Sequence, residues 1–199
     1  MKQGFNSLVA SLVYACALAI SAPALATDSV FTAIPPCRIV DTRLPGAGGP
    51  LSAGETRSFN VVGNTLNSPN FQGAEGSDCG IPGFSSGPQV QAVVFNFVAV
   101  GASGPGDLVA WPTDQAQPLA SIINFASQAK LAGLNIANGL VVAVRQDQQG
   151  DDLSVIAFGG VSVEVYGLGY LVPSADAPHL TPAVPHLAGS KVGHAPHQG

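Results

Sequence analysis

Three carboxylates lie close together in one short stretch of the chain: Asp147, Asp151 and Asp152, with Gly150 among them. Carboxylate oxygens on a glycine-containing turn are ligands that Ca²⁺ accepts. Their spacing does not match an EF-hand loop, which fixes the position of each ligand. The pattern therefore leaves two hypotheses open, a calcium site and a solvated turn.

A second group of charged residues lies in the segment PCRIVDTR, residues 36–43. Alternation along an extended chain places Asp41 and Arg43 on one side and Arg38 on the other. We expect Asp41 and Arg43 to pair with each other or with loop backbone, as a clamp on the long loop of residues 44–80. The alternative is that Arg38 or Arg43 holds a ligand carboxylate or a sugar.

Trp111 is the only tryptophan of the protein. With Tyr166 and Tyr170 it is a candidate for a platform on which a sugar ring stacks. A tryptophan beside Pro112 at a strand end is also typical of a side chain that fills a core. Both interpretations stay open at this point.

Residue types limit the catalytic chemistry that the chain can perform. A Ser-His-Asp or Cys-His arrangement needs a histidine in the folded body. The four histidines all lie near the C-terminus: His179, His186, His194 and His197. Carboxylate pairs such as Asp107 with Asp114 would suggest a glycan hydrolase. We expect no catalytic residues, no cofactor and no defined metal site at the four histidines.

The N-terminus has the pattern of a secretory signal peptide. Lys2 is followed by an apolar stretch over residues 8–20, and Ala24-Leu25-Ala26 is a cleavage site, so we expect residues 1–26 to be removed after Ala26. The apolar stretch is too short to span a bilayer, and no other segment of the chain predicts a transmembrane span. We therefore expect a secreted protein, extracellular or periplasmic, without a transmembrane segment.

Without Cys16 of the leader, two cysteines are left, Cys37 and Cys79. An even number of cysteines in an exported chain is typical of a disulfide. Zinc is a poor alternative, since neither a CxxC motif nor a nearby histidine completes a set of ligands. We predict a Cys37–Cys79 disulfide.

Between the leader and the tail, residues 27–173 consist of strand-like runs and turns. We expect residues 174–199, rich in Pro, Ala, Gly and His, to be a disordered tail. Short strands with close turns and no crossover helices predict an all-β, antiparallel β-sandwich, jelly-roll or immunoglobulin-like, with a small barrel as the alternative. The β-branched or aromatic runs cover residues 89–100, 107–111, 121–125, 139–145, 153–158 and 161–166.

Two of these runs are apolar on both faces, Val90–Val100 and Leu140–Val144. A half-solvated strand would alternate between apolar and polar residues. We expect both to be central strands, covered either by the protein's own loop, such as residues 44–80, or by another subunit.

Composition excludes several classes of function. The net charge is −5 with only 10% charged residues, so the basic face of a nucleic-acid-binding protein is missing. A basic peripheral membrane protein is excluded for the same reason. Disorder of the whole chain is excluded by its 46% hydrophobic residues.

The order of the motifs carries a resemblance. Residues 31–171 resemble a secreted bacterial module with a PCRxxDTR opening, a CGIP element, an Asn-centred strand and a terminal Gly-Tyr pair. That module occurs alone, in tandem or appended to extracellular hydrolases. The resemblance implies an extracellular β-sandwich, supports the pairing of Cys37 with Cys79 and brings no catalytic residues. The tail departs from the module's pattern. The motifs here are FTAIPPCRIVDTR (31–43), DCGIP (78–82), AVVFNFVAV (92–100), SIINF (121–125), the Ala137-Asn138 pair and VEVYGLGYLV (163–172).

We therefore expect a secreted, non-catalytic surface or accessory binding protein. Its partner would be a cell-envelope or extracellular component, such as a glycan or a surface protein, held by loop residues at one end of the sandwich. The second hypothesis is a homo-oligomeric structural subunit of a surface layer or fibre. A glycan hydrolase is the third.

Overall fold

The computed structural model describes residues 28–63, 71–75, 79–84, 89–126, 135–147 and 149–176. Within these residues the chain is all-β, and a 3-10 turn at Ser174–Asp176 follows the last strand. The expected leader and the rest of the expected tail lie outside the described residues. The strands are β1 Ser29–Asp41, β2 Glu55–Phe59, β3 Ala92–Val100, β4 Gly106–Pro112, β5 Ile123–Phe125, β6 Ile136–Ala143, β7 Leu153–Ala157 and β8 Ser162–Pro173.

The strands form two antiparallel four-stranded sheets. Sheet 1 has the order β1-β8-β3-β6 and sheet 2 the order β2-β7-β4-β5. These orders are those of an eight-stranded jelly roll, and they differ from the strand order of an immunoglobulin sandwich. The prediction of an antiparallel β-sandwich is confirmed, and the sheets do not close into a barrel.

Most connections cross from one sheet to the other. Among the described strands, β4 and β5 are the one consecutive pair that lies in the same sheet. The glycine-rich turns at residues 101–105 and 159–160 therefore join different sheets, whereas a hairpin turn joins neighbours within one sheet. Short turns suffice because the ends of the two packed sheets lie close together.

The core lies between the sheets, and β3 contributes its largest side chains. Phe95 and Phe97 are fully buried, with ring centroids 5.4 Å apart in an edge-to-face arrangement. β3 is a central strand as expected, between β8 and β6, but its opposite face is half-buried. The expectation that the protein's own loop covers a central strand at residues 140–144 is wrong, because β6 is an edge strand among the described strands and Val141 is 56% exposed; cover by another subunit stays a prediction.

β1 forms the other edge of sheet 1 and holds two irregularities. Its pairing with β8 shifts between Ala33 and Cys37, around Pro35 and Pro36, which lack the N–H that a ladder needs. An edge strand tolerates these prolines because only one of its sides is paired. The shift at Pro35 and Pro36 also interrupts any simple alternation of side chains along β1.

Candidate functional site

Asp41 is the centre of the segment PCRIVDTR, and it is only 1% exposed. Its Oδ1 accepts hydrogen bonds from the backbone N–H and the Nε of Arg43, both at 3.0 Å, and its Oδ2 accepts from Nη2 at 3.0 Å. Arg43 also contacts the carboxylate of Glu164 on β8. The Arg43 guanidinium is thus committed to two carboxylates of its own chain, as the clamp hypothesis expects.

Arg38 lies on the same side as Asp41, with Nη1 3.8 Å from Oδ2 of that carboxylate. The expectation that alternation separates these two residues is wrong. The pairing of β1 with β8 shifts between Arg38 and Val40, so that Ile39 and Val40 are both fully buried. The Arg38 Nε is buried and has no hydrogen-bond partner among the described residues.

Backbone hydrogen bonds to β1 and the side chain of Gln72 fix residues 71–75 along the edge of β1 that faces away from β8. The backbone N–H of Asp41 donates to the Gln72 carbonyl at 2.9 Å, and that of Glu75 donates to the Arg38 carbonyl at 2.9 Å. The buried Gln72 amide bonds three backbone groups: it donates to the Ile39 carbonyl (3.2 Å) and the Asn60 carbonyl (2.7 Å), and accepts from the Asn60 N–H (3.1 Å). This part of the expected loop is therefore rigidly bonded to the sandwich.

Gly73 is required in this segment. Its φ is +85°, and a Cβ there would lie 2.7 Å from the Asp41 nitrogen and closer still to the Asp41 carbonyl oxygen. An L side chain would meet both a strained backbone conformation and a clash. The close approach of residues 71–75 to β1 thus depends on this glycine.

The predicted disulfide is confirmed: Cys37 is bonded to Cys79, with their Cα atoms 5.5 Å apart. It fixes the segment that carries Ile81, a core residue with 2% exposure. The Ile81 carbonyl accepts a hydrogen bond from the Gly63 N–H at 2.9 Å. The expected loop of residues 44–80 is therefore fastened at its middle and at its end, and it contains a strand, β2, that the sequence pattern did not indicate.

Next to the clamp, a cavity of about 310 Å³ opens between the turn at residues 46–48, β2 and residues 71–72. Its size is at the lower limit of small-molecule sites. Gln72 belongs both to its wall and to the segment that is bonded to β1. The lining residues are Gly46, Ala47, Gly48, Arg57, Ser58, Phe59, Phe71, Gln72 and Asp151.

Arg57 builds one wall of this cavity. Its Nη1 donates to the carbonyls of Gly49 (2.8 Å) and Ala47 (3.4 Å), and its Nη2 donates to the Gly48 carbonyl (3.4 Å) and contacts the carboxylate of Glu55. A hydrogen bond from the Ser52 N–H lowers the pKa of Glu55; burial opposes this effect, and the Arg57 guanidinium adds to the lowering. Arg57 therefore holds the glycine-rich turn in place.

Two groups in the cavity wall have surface that a ligand can contact. Phe71 is 52% exposed, although its ring lies near Gly46. Asp151 is half-buried, and its carboxylate accepts no hydrogen bond from the described residues. The cavity thus offers an apolar ring and a carboxylate that can accept hydrogen bonds from a ligand.

Asp152, next to Asp151 in the sequence, is buried and does not line the cavity. It is 2% exposed, and its Oδ2 accepts hydrogen bonds from the backbone N–H groups of Val61 (2.9 Å) and Val62 (3.1 Å). Burial raises its pKa to about 6, against the lowering effect of these two bonds, and the neighbouring Asp151 adds to the rise. The carboxylate therefore anchors the segment that follows β2.

The three carboxylates proposed for calcium do not converge. Asp147 is paired with Arg145, whose hydrogen bonds lower its pKa, while Asp152 faces the interior and Asp151 lines the cavity. Within the described ranges, no three residues of His, Cys, Asp and Glu are grouped so that they could hold a metal ion. The local geometry is that of an ion-paired turn.

Trp111 is 8% exposed and packs with Val109 and Ile156. All three belong to sheet 2, and they lie on the face opposite to the core residues of β4 and β7. Tyr166 and Tyr170 belong to β8 in sheet 1. The three aromatic residues therefore do not form one stacking platform.

Asp107 and Asp114 lie near opposite ends of β4. At about 3.3 Å per residue, the strand separates residues 107 and 112 by about 16 Å. Asp114 also accepts a hydrogen bond from the Gln146 N–H at 3.0 Å. This separation exceeds the roughly 5–10 Å between the two carboxyl groups of a glycosidase.

Sequence reasoning overlooked Phe71 and Arg57. Phe71 lies in a stretch without periodicity, and Arg57 lies in a strand whose residues are mostly polar. An isolated phenylalanine among polar and glycine residues is the one signal that pointed to an exposed ring.

Comparison with protein-family models, curated proteins and solved structures finds no significant match to this chain. In the part of the chain that the structure covers, no helix has the length and apolar character needed to cross a membrane.

Proposed function

We propose that this protein is a secreted, non-catalytic binding protein whose cavity holds a saccharide unit of a cell-envelope or extracellular glycan. The observation that carries the proposal is that one cavity holds a half-exposed ring, Phe71, and a carboxylate, Asp151, that accepts no hydrogen bond from the described residues. The disulfide supports export, because disulfides persist in oxidising compartments.

The two groups suit the two faces of a sugar. A sugar ring has an apolar C–H face that packs on an aromatic ring, and hydroxyls that donate to a carboxylate in charge-assisted hydrogen bonds. Phe71 supplies the first contact and Asp151 the second. Jelly-roll folds include lectin domains, but the fold alone does not determine function, so the proposal depends on the cavity.

The cavity is built to be rigid. Arg57 fixes the turn at residues 46–48, and Gln72 fixes the backbone beside Phe71 through hydrogen bonds to Ile39 and Asn60. A preformed site loses little conformational entropy when its ligand binds. The segment PCRIVDTR then acts as the support of the site and not as its binding surface.

The test is co-sedimentation of the exported, disulfide-bonded protein with purified cell-wall glycan and with envelope fractions, at a series of protein concentrations. We expect saturable retention above that of a similarly acidic control protein. Retention no greater than the control would contradict the proposal.

Matched variants locate the site. Phe71→Ala should weaken binding about fivefold or more, because an aromatic contact contributes about 1 kcal/mol beyond its buried area. Phe31→Ala is its control, since Phe31 is also 52% exposed but lies on β1 of the other sheet. Asp151→Asn should weaken binding severalfold, and Asp107→Asn, at the far end of β4, should not. Equal losses in a variant and its control would refute the assignment.

A further inference from the structure

Three of the four sheet edges carry features that prevent pairing with another strand. β5 has only three residues, and β2 carries the charges of Glu55 and Arg57. β1 contains Pro35 and Pro36, and residues 72–75 are hydrogen-bonded to its end. Short length, charge, proline and cover are the usual means by which proteins protect an edge.

Among the described residues, the fourth edge, β6, has none of these features. Its sequence, IANGLVVA, contains no charged residue and no proline, and its register with β3 is unbroken over all eight residues. Most of the strand is open to solvent. Its exposed residues are Ala137, Asn138, Gly139, Val141 and Ala143.

The backbone groups on the open side can be assigned. The Val144 N–H donates to the Gln91 carbonyl at 3.1 Å, so these two residues form a hydrogen-bonded pair. Because such pairs alternate in an antiparallel ladder, the N–H and C=O groups of every second residue in β6 point away from β3. Those residues are Ala137, Gly139, Val141 and Ala143, and no described strand pairs with them.

We propose that β6 pairs antiparallel with β6 of a second copy of this chain, which joins two copies of sheet 1 into one continuous eight-stranded sheet. This inference goes beyond glycan binding and does not depend on it. A second copy fits because the strand is self-complementary. A two-fold axis at Leu140 sets Val141 opposite the partner's Gly139, and Ala137 opposite the partner's Ala143.

In this register the outward backbone groups form hydrogen bonds and the side chains fit without a clash. The outward N–H and C=O groups of each copy meet those of the other, and each Val141 lies beside a residue without a side chain. No charged residue of β6 is brought near its copy, although the chain carries a net charge of −5. A strand of another protein would need the same register, a small residue opposite Val141 and no opposing charge.

The test is sedimentation velocity of the exported full-length protein over a range of concentrations. We expect a concentration-dependent dimer. Val141→Pro removes a donor that points away from β3, and Val141→Lys places two like charges near the two-fold axis; each should weaken dimerisation at least tenfold. Val141→Thr, which keeps the donor and the branched shape, and Leu119→Lys, at a fully exposed loop position, are the controls and should leave it unchanged.

Amide hydrogen exchange gives an independent readout. Protection at Gly139 and Val141 should rise with protein concentration in the native chain and not in Val141→Lys. Near-UV circular dichroism checks that each variant is folded, and if Val141→Pro unfolds, Val141→Lys decides. A monomer at all concentrations, or a dimer that Val141→Lys leaves intact, would overturn the proposal.

Discussion

Replacing Asp152 with asparagine should change the way in which the stability of the protein depends on pH. The native carboxylate is buried, and its pKa is raised from 3.8 to about 6. An asparagine oxygen can still accept the hydrogen bonds from Val61 and Val62, so the variant is expected to fold. What it loses is the ionisation of a buried group.

Proton linkage determines whether ionisation of Asp152 raises or lowers the stability of the protein as pH changes. Between pH 3.8 and about 6, the folded protein keeps a proton on Asp152 that the unfolded chain has released. The stabilisation from this group is therefore fully present below pH 3.8 and is lost as pH rises through 6. A pKa shift of one unit corresponds to about 1.4 kcal/mol. Between pH 3.8 and about 6, the free energy of unfolding of the native protein should therefore fall by roughly 3 kcal/mol relative to that of Asp152→Asn.

Urea unfolding at a series of pH values from 3.5 to 7.5, followed by the fluorescence of the buried Trp111, measures this difference. Asp147→Asn is the control, because the pKa of Asp147 is lowered by Arg145 and its contribution has the opposite sign: it is present above pH 3.8 and lost as pH falls. A difference between the native protein and Asp152→Asn that is constant, or that favours the native protein at high pH, would refute the reasoning.

Two further predictions concern the segments that support the cavity. Replacing both Cys37 and Cys79 with serine should lower the free energy of unfolding by about 4 kcal/mol, since the disulfide closes a long loop; urea unfolding should show the same loss for the reduced native protein, and a loss below 1 kcal/mol would count against it. Gly73→Ala should lower the free energy of unfolding by about 3 kcal/mol or more, because its Cβ would clash with Asp41. The control is Gly49→Ala, where φ is +72° and the space is open, and it should lower the free energy of unfolding by only about 1 kcal/mol. Equal losses of thermal stability in the two variants would show that the clash is absent.

The fold could be predicted because its core strands have an apolar pattern of their own. The run that contains Phe95 and Phe97 and the run that becomes β7 are strands almost at the predicted bounds. The apolar pattern of the sequence does not predict to which of the two sheets a strand belongs. The turn at Gly159-Gly160 has the composition of a hairpin, but its strands pair with partners elsewhere in the sequence.

The candidate site was harder to predict, because it depends on contacts between distant segments. Asp41 and Arg43 are neighbours in sequence, so their pairing could be expected. Phe71, in contrast, is fixed beside the cavity through Gln72, whose partners lie near the ends of β1 and β2. β2 itself was overlooked because its residues are mostly polar, and it is held by the pairing of Ser58 with Ser154 and its neighbours on β7.

The most direct test of the central claim is an NMR titration of the disulfide-bonded protein with soluble fragments of the glycan that retains it. Binding in the cavity predicts saturable amide shift changes at Gly46, Gly48, Phe71 and Asp151, and their loss in Phe71→Ala. Saturable changes confined to other surfaces, such as the edge strand β6, or no changes at any ligand concentration, would contradict it.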